Sequence, residues 1–388
     1  MTESDHWTHL HAQLHRTLLQ RQILPSNQRL LVAVSGGQDS LCLLKLLVDL
    51  QPKWGWDLAI AHCDHRWRSD SQSNASHVEN LAKNWGISYY LQTALLVPKT
   101  EAAARQWRYQ ALTEIALAKP SKRIAHNYPY IVTGHTASDR AETLLYNLIR
   151  GSGADGLSAL TWTRPLFDFR LPILDFRLQN SEENPNTQIS ADFRLDNLDE
   201  NPQSKIQNLK SKIYLVRPLL EITRSQTGQF CQEQKLPIWE DSTNQDLKYA
   251  RNRIRSELLP YLETHFNPRA STAIAQTAEL LRADVEYLEL AASDLLQRAI
   301  SPIAESEQVK FQLPVKLNRP ILREAPLALQ RRAMRQLLQQ ILPSAPSFDS
   351  VEKLTSLIAA PNRSKIDPFP GGAIARVEKP WIILDLKF

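Results

Sequence analysis

The chain has 388 residues, 43% hydrophobic and 22% charged, with a formal net charge of +5, which fits a globular protein of two or three domains at ~100–200 residues each. No run approaches the ~18 consecutive apolar residues of a membrane span, and the N-terminus lacks the basic and apolar regions of a secretory signal. The three cysteines, Cys42, Cys63 and Cys231, stand far apart without a CxxC pair, which speaks against a disulfide framework or a cysteine-based metal site. The expectation is a cytoplasmic protein without membrane contact or an evident protein partner; a pI near 9.0 permits a polyanionic partner without demonstrating one.

In chain order, Leu10, Leu14, Leu18 and Leu19 form one face of an amphipathic helix within residues 1–29. From 30 to 150, apolar runs at Leu30–Val34, Leu58–His62, Ile87–Leu91 and Tyr130–Gly134 read as strands. Helical patterns at Ser40–Leu50, Ser71–Trp85, Thr100–Ala118 and Ala137–Ile149 lie between and after them. This alternation predicts an α/β fold with a parallel sheet covered on both faces, and ligands of such sheets bind at the carboxyl ends of the strands. Residues 167–212 repeat DFRL at Asp168, Asp175 and Asp192 amid polar residues, and read as a low-complexity insertion, mostly disordered. The alternative is a substrate-gripping arm through Arg170, Arg177 and Arg194. A strand resumes within 213–220, followed by helices at Thr223–Lys235 and Tyr249–His265, further helices to about Ile341, and a terminal hairpin. The expected domains are residues 30–222 and a smaller, mostly helical domain over 223–388.

The turn after the first strand, Ser35-Gly36-Gly37-Gln38-Asp39-Ser40, lacks the lysine of a Walker A loop. Its small residues let backbone N–H groups converge on an anion at a helix N-terminus, with Ser35 and Ser40 adding hydroxyl donors. Asp39 beside a phosphate is repulsive unless a cation sits between them, so the turn predicts Mg²⁺ on Asp39. The stretch Gly151–Gly156 spells GxGxxG, but it follows a helix rather than a strand, so Gly151 reads as a helix terminator.

The SGGxDS turn resembles the signature of the PP-loop ATP pyrophosphatase superfamily. Four further stretches resemble one family within it, tRNA(Ile)-lysidine synthetase: AHCDHRWRSDS at 61–71, EAAARQWRYQAL at 101–112, TGHTASDRAETLLYNLIRGSGADGLSAL at 133–160, and RPLL at 217–220 with WEDSTNQDLKYARNRIRSELLP at 239–260. The resemblance implies a PP-loop domain that cleaves ATP between the α and β phosphates. It implies adenylation of the wobble cytidine in the CAU anticodon of tRNA(Ile), then attack by free L-lysine to form lysidine, with release of AMP and pyrophosphate. The insertion departs from the family pattern. So does the expected lack of the extra C-terminal domain of longer members, which leaves the grip on tRNA to the helical part.

On this reading Ser35, Gly36, Gly37, Gln38, Asp39 and Ser40 hold ATP, and His62 and Asp64 line the adenylate pocket. His62 and His65 have no third ligand at useful spacing for zinc. Arg105 and Arg108, three apart on one helix face, suit the α-phosphate or the tRNA backbone. His135, Asp139 and Glu142 follow the fourth strand, where a carboxylate pair binds the lysine ammonium and takes its proton. Arg251, Arg253 and Arg255 fan around a helix and suit tRNA phosphates, with Trp239, Glu240 and Asp241 shaping the same surface. The rival readings are a PP-loop tRNA sulfurtransferase, which needs a reactive cysteine, and a catalytically inactive tRNA-binding protein.

Overall fold

The computed structural model describes residues 7–117, 127–166, 213–239, 246–300 and 313–386. The insertion at 167–212, with its DFRL repeats, lies outside the described residues, as do Glu240 and Asp241. The chain divides into two compact units, Met1–Leu281 and Arg282–Phe388.

The first unit opens with α1 (His9–Arg21), capped by Thr8 in a reciprocal capping box with His11. Leu10, Leu14 and Leu18 are buried, while Leu19, one position off the stripe, is exposed. Then come β1 (Arg29–Ala33), α2 (Gln38–Trp54), β2 (Asp57–Asp64), α3 (Ser71–Asn84), β3 (Ser88–Thr93), α4 (Glu101–Leu117), β4 (Tyr130–Thr133) and α5 (Ala137–Ile149). The expected strand–helix alternation is present, and the parallel α/β class holds.

Gly151 has φ +73 and follows the end of α5, so it stops that helix as expected. A short α6 (Ala154–Leu157) leads to β5 (Thr163–Pro165), and β6 (Tyr214–Val216) closes the sheet. The strand order is β3-β2-β1-β4-β6-β5. All neighbours run parallel except β5, which pairs antiparallel with β6 at the edge. β5 was not foreseen: three residues containing a proline carry no period, and an edge strand tolerates the missing donor.

The period of two along the strands sorts side chains into two layers. Leu30 and Val32 of β1 pack with Leu58, Ile60 and Val132 against α1, α2 and α3. Leu31, between them, packs with Ala59, Ala61, Ile131 and Leu215 against Tyr109, Leu112 and Ala116 of α4. The sheet is therefore buried on both faces.

The expected domain boundary near residue 222 falls inside the first unit. α7 (Arg224–Glu233) packs on the α2 layer through Phe230 and Cys231. Beyond it, α8 (Ala250–Arg253) runs through a π turn (Ile254–Leu258) into α9 (Leu259–His265). Ile254 and Leu259 bury themselves against Ala141 of α5, which anchors this segment over the N-terminal domain. α10 (Ala270–Ala299) follows.

The second unit contains β7 (Val315–Asn318), α11 (Arg319–Glu324), α12 (Leu327–Ile341), α13 (Phe348–Ser356), β8 (Ala373–Glu378) and β9 (Trp381–Leu386). The expected hairpin forms as β8 and β9, and β7 joins it to make an antiparallel sheet of order β7-β9-β8. Met334, Leu337 and Leu338 of α12 meet Leu354 of α13 and Leu317, Ile382 and Leu384 of the sheet in a separate core. The smaller C-terminal unit thus keeps its expected helices and hairpin, with β7 as an added strand. Among the described residues, no helix is long and apolar enough to cross a membrane.

Candidate active site

β1 and β4 are neighbours, but the chain leaves them toward different sides of the sheet order, so a crevice opens beyond their carboxyl ends. A cavity of about 370 Å³ lies there, bounded by the Ser35–Ser40 turn, by His62 and Asp64 of β2, and by His135 and Asp139 after β4.

The turn is built by its own hydroxyls. Ser40 Oγ donates to Gly37 O at 2.8 Å, and Ser40 Oγ accepts from Ser35 N at 3.2 Å. Gly37 N donates to Ser35 Oγ at 3.3 Å. Gly36 sits at φ +88, a conformation a side chain disfavours. A Cβ there would also lie 2.4 Å from the Asn74 amide, whose Nδ2 donates to Ser35 O at 2.9 Å. α1, α5 and α7 each begin with a side-chain capping box, but α2 begins at Gly37 with no side-chain cap. The first N–H groups of α2 and its dipole are thus left for an anion.

Gly134 brings the two halves of the crevice together. A Cβ at Gly134 would lie 2.8 Å from the Asp39 carbonyl oxygen, so only glycine lets β4 end against the first turn of α2.

Asp39 lines the cavity but is already engaged. Arg224 Nη1 donates to its Oδ2 at 3.2 Å and Thr227 Oγ1 to its Oδ1 at 2.5 Å. Burial pushes its carboxyl above the usual range; Arg224 opposes this, and the nearby Asp139 adds to it. Gln38 turns its side chain away, with Nε2 donating to Arg224 O at 2.7 Å, so its contribution to an anion is limited to the backbone. Arg224 and Thr227 were missed in the sequence: they lie 185 or more positions from Asp39, and nothing local in ITRSQT marks them.

Asp139 completes the cap of α5, accepting from Thr136 N and Thr136 Oγ1, both at 2.7 Å. Glu142 is buried and held by both arms of Arg255, with Nε donating to Oε1 at 2.6 Å and Nη2 to Oε2 at 2.7 Å. Arg255 Nη2 also reaches Asp139 Oδ1 at 3.5 Å. Burial raises Glu142 above its usual range against the pull of Arg255, while the guanidinium itself is held more firmly charged by Glu142.

The three arginines of α8 and the π turn do not form one fan. Arg253 is exposed, Arg251 pairs with Glu101 at 3.2 Å and stands over the Tyr146 ring, and Arg255 enters the carboxylate cluster. The π turn and the burial of Ile254 turn Arg255 inward.

His62 is buried with Nδ1 at 2.7 Å from Val34 O. The carbonyl can only accept, so Nδ1 carries the proton and Nε2 keeps its lone pair. Burial lowers its pKa, as it does that of His135, which Arg217, Arg105, Arg108 and Arg251 depress further. Both are neutral at pH 7. Asp64 accepts from Arg66 N at 2.8 Å and Ser71 Oγ at 3.2 Å, so it shapes the loop into α3.

Arg105 and Arg108 both stand by the Tyr109 ring, at 5.7 and 5.8 Å, with Arg164 at 4.8 Å. Burial pushes the Tyr109 phenol up, but Arg105, Arg217, Arg108 and Arg164 outweigh it and bring it down to about 7. Arg108 borders the cavity. A glycine turn for phosphate, three carboxylates and a basic wall therefore share one crevice.

This arrangement defines a PP-loop nucleotide enzyme, and residues 8–262 match the family model for a PP-loop domain. Residues 317–379 match the model for a TilS substrate binding domain. The tRNA(Ile)-lysidine synthase of Nostoc sp. is 60% identical over 382 residues, covering 97% of each chain. That of Synechocystis sp. is 46% identical, covering 96% of each. The chloroplastic enzyme of Zygnema circumcarinatum is 40% identical, covering 88% of this chain and 77% of that one. The chain belongs to the tRNA(Ile)-lysidine synthase family, and it uses ATP.

Proposed function

We propose that the protein adenylates the wobble cytidine of the CAU anticodon in tRNA(Ile) and then joins free L-lysine to it, releasing AMP and pyrophosphate. The observation that carries this is the uncapped glycine turn facing Asp39 and Asp139 in one crevice, with buried Glu142 tied to Asp139 through Arg255, in a chain of this family. The α2 N-terminus and Ser35–Ser40 hold the phosphates that leave as pyrophosphate. Mg²⁺ fits here, because Asp39 and Asp139 repel one another across the cavity and this ion needs only one or two carboxylates beside phosphates. When bound it would neutralise the phosphate charge.

Arg105 and Arg108 hold the α-phosphate or the RNA backbone, and Arg253 meets tRNA phosphates. Asp139 and Glu142 receive the lysine ammonium. Glu142, raised in pKa but clamped by Arg255, becomes available as a base when the substrate cation takes the arginine's place. Neutral His62 and His135 add no positive charge that would repel that ammonium. A cytoplasmic location follows from this substrate.

The sulfur-transfer reading finds little support. Burial pushes the Cys63 thiol up to about 12, so it stays protonated and unreactive. Among the described residues, no cluster of three metal-ligating side chains occurs.

Incubation with tRNA, ATP and radiolabelled lysine tests the reading. Label should enter the CAU-anticodon isoleucine tRNA and not the methionine tRNA; absence of label would sink it. Asp39→Asn should stop pyrophosphate release while tRNA affinity stays near wild type.

A further inference from the structure

Three rings stand where the crevice opens toward solvent. His65 borders the cavity. Trp67 lies 4.9 Å from it, centroid to centroid, and Trp107 of α4 lies 6.4 Å from it. Trp67 Nε1 donates to Pro98 O at 2.6 Å, which ties the loop after β2 to the loop after β3. Neither tryptophan is buried, Arg66 and Lys99 are exposed beside them, and Leu95 and Leu96 next to Pro98 are 93% and 81% exposed. Nothing in the chemistry assigned above uses either tryptophan.

We propose that Trp67 and Trp107 form a stacking platform for the unpaired nucleotides that flank the wobble cytidine, with Arg66 and Lys99 taking their phosphates. This rests on the proposed function. An aromatic face accepts any base, because every base has a π face, and a cationic rim attracts the backbone. The exposed leucine pair by itself would suit a protein partner. Its placement beside rings and cations, and continuous with the cavity, favours a single-stranded RNA loop. The platform also solves a geometric need: a cytidine that enters the crevice must leave its own stack, and its neighbours then lose a stacking partner that the two indoles replace.

The test measures affinity of the full-length protein for a CAU-anticodon isoleucine tRNA transcript across a salt series. Trp67→Ala and Trp107→Ala should each bind roughly 5- to 150-fold more weakly. The slope of affinity against salt should not change, because no phosphate contact is removed, and the KM for ATP should stay the same. Trp67→Phe and Trp107→Phe should keep most of the affinity. Alanine variants that bind like wild type would overturn the platform. So would phenylalanine variants as weak as the alanine ones, since that would trace the effect to the Pro98 hydrogen bond or to packing. If Trp67→Ala fails to fold, Trp107→Ala carries the test. Wild-type protein that binds tRNA but attaches no lysine would remove the proposed function and leave the RNA platform standing. Wild-type protein that attaches lysine while both alanine variants bind normally would remove the platform alone.

Discussion

Arg255 and Glu142 show how a single pair sets the state of the site. Glu142 is buried and Arg255 half-buried, and the contact uses both guanidinium arms. Removing the cation strands a buried carboxylate, which costs roughly 3 kcal/mol or more. Arg255→Ala should therefore lower stability by about that much, whereas Glu142→Gln in the same background should recover part of the loss. A double-mutant cycle followed by urea unfolding measures the coupling. Additive effects would mean that the pair is not coupled. The neutral histidines set a pH dependence. His62 and His135 titrate below their ordinary value in the folded chain. As pH falls below about 6.5, the unfolded chain takes up these protons first, so stability drops by up to about 1.4 kcal/mol per pH unit for each histidine. Asp39 and Glu142, raised in the fold, act the other way at lower pH, because there the folded chain is protonated first. Urea midpoints of wild type and His135→Gln between pH 7 and 5 should diverge, with the variant less sensitive to acid.

At the level of elements, the contact of β4 with α2 is the tightest constraint. Gly134→Ala puts a methyl group 2.8 Å from a backbone carbonyl that cannot rotate away. It should cost about 1–3 kcal/mol and slow pyrophosphate release. Gly153→Ala is the control: nothing lies within 4 Å of its Cβ, and it should be neutral. Equal behaviour of the two variants in thermal melts and pyrophosphate assays would remove the argument. The strands and helices through α5 were legible because each combines a strong period with a turn of Gly, Ser, Thr or Asp; α5 spans Ala137–Ile149, the range its pattern predicts. The glycine turn was legible for the same reason. What stayed hidden depends on distant pairing. β5 and β7 are short strands that exist through their neighbours. Arg224 and Thr227 meet Asp39 through the packing of α7 on α2. Arg255 reaches Glu142 because Ile254 is buried and the helix widens by a π turn, and no periodic pattern encodes that.

For the whole molecule, the apolar cores are separate. The sheet layers of the first unit and the α12–α13–sheet core of the second share no residue. Leu337, fully buried in the second core, should cost about 2–5 kcal/mol when changed to Ala. That loss should appear in the melting of residues 282–388, followed by hydrogen exchange, while ATP binding near α2 keeps its wild-type affinity. Loss of ATP binding in step with that melting would mean that the two units unfold as one. The net charge of +5 favours association with tRNA at low salt, so affinities are comparable only at a stated ionic strength.

The cations that neutralise Asp39 and Glu142 come from residues 224 and 255, far downstream of the glycine turn. A ribosome makes the chain from its N-terminus, and domains form as their residues emerge. Until residue 255 has left the exit tunnel, α5 carries a carboxylate that has no cation to be buried with, so its inner face must stay wet. The Glu142 side of the nucleotide crevice therefore closes only after residue 255 has emerged, and an incomplete chain carrying the whole glycine turn cannot yet hold that carboxylate in place.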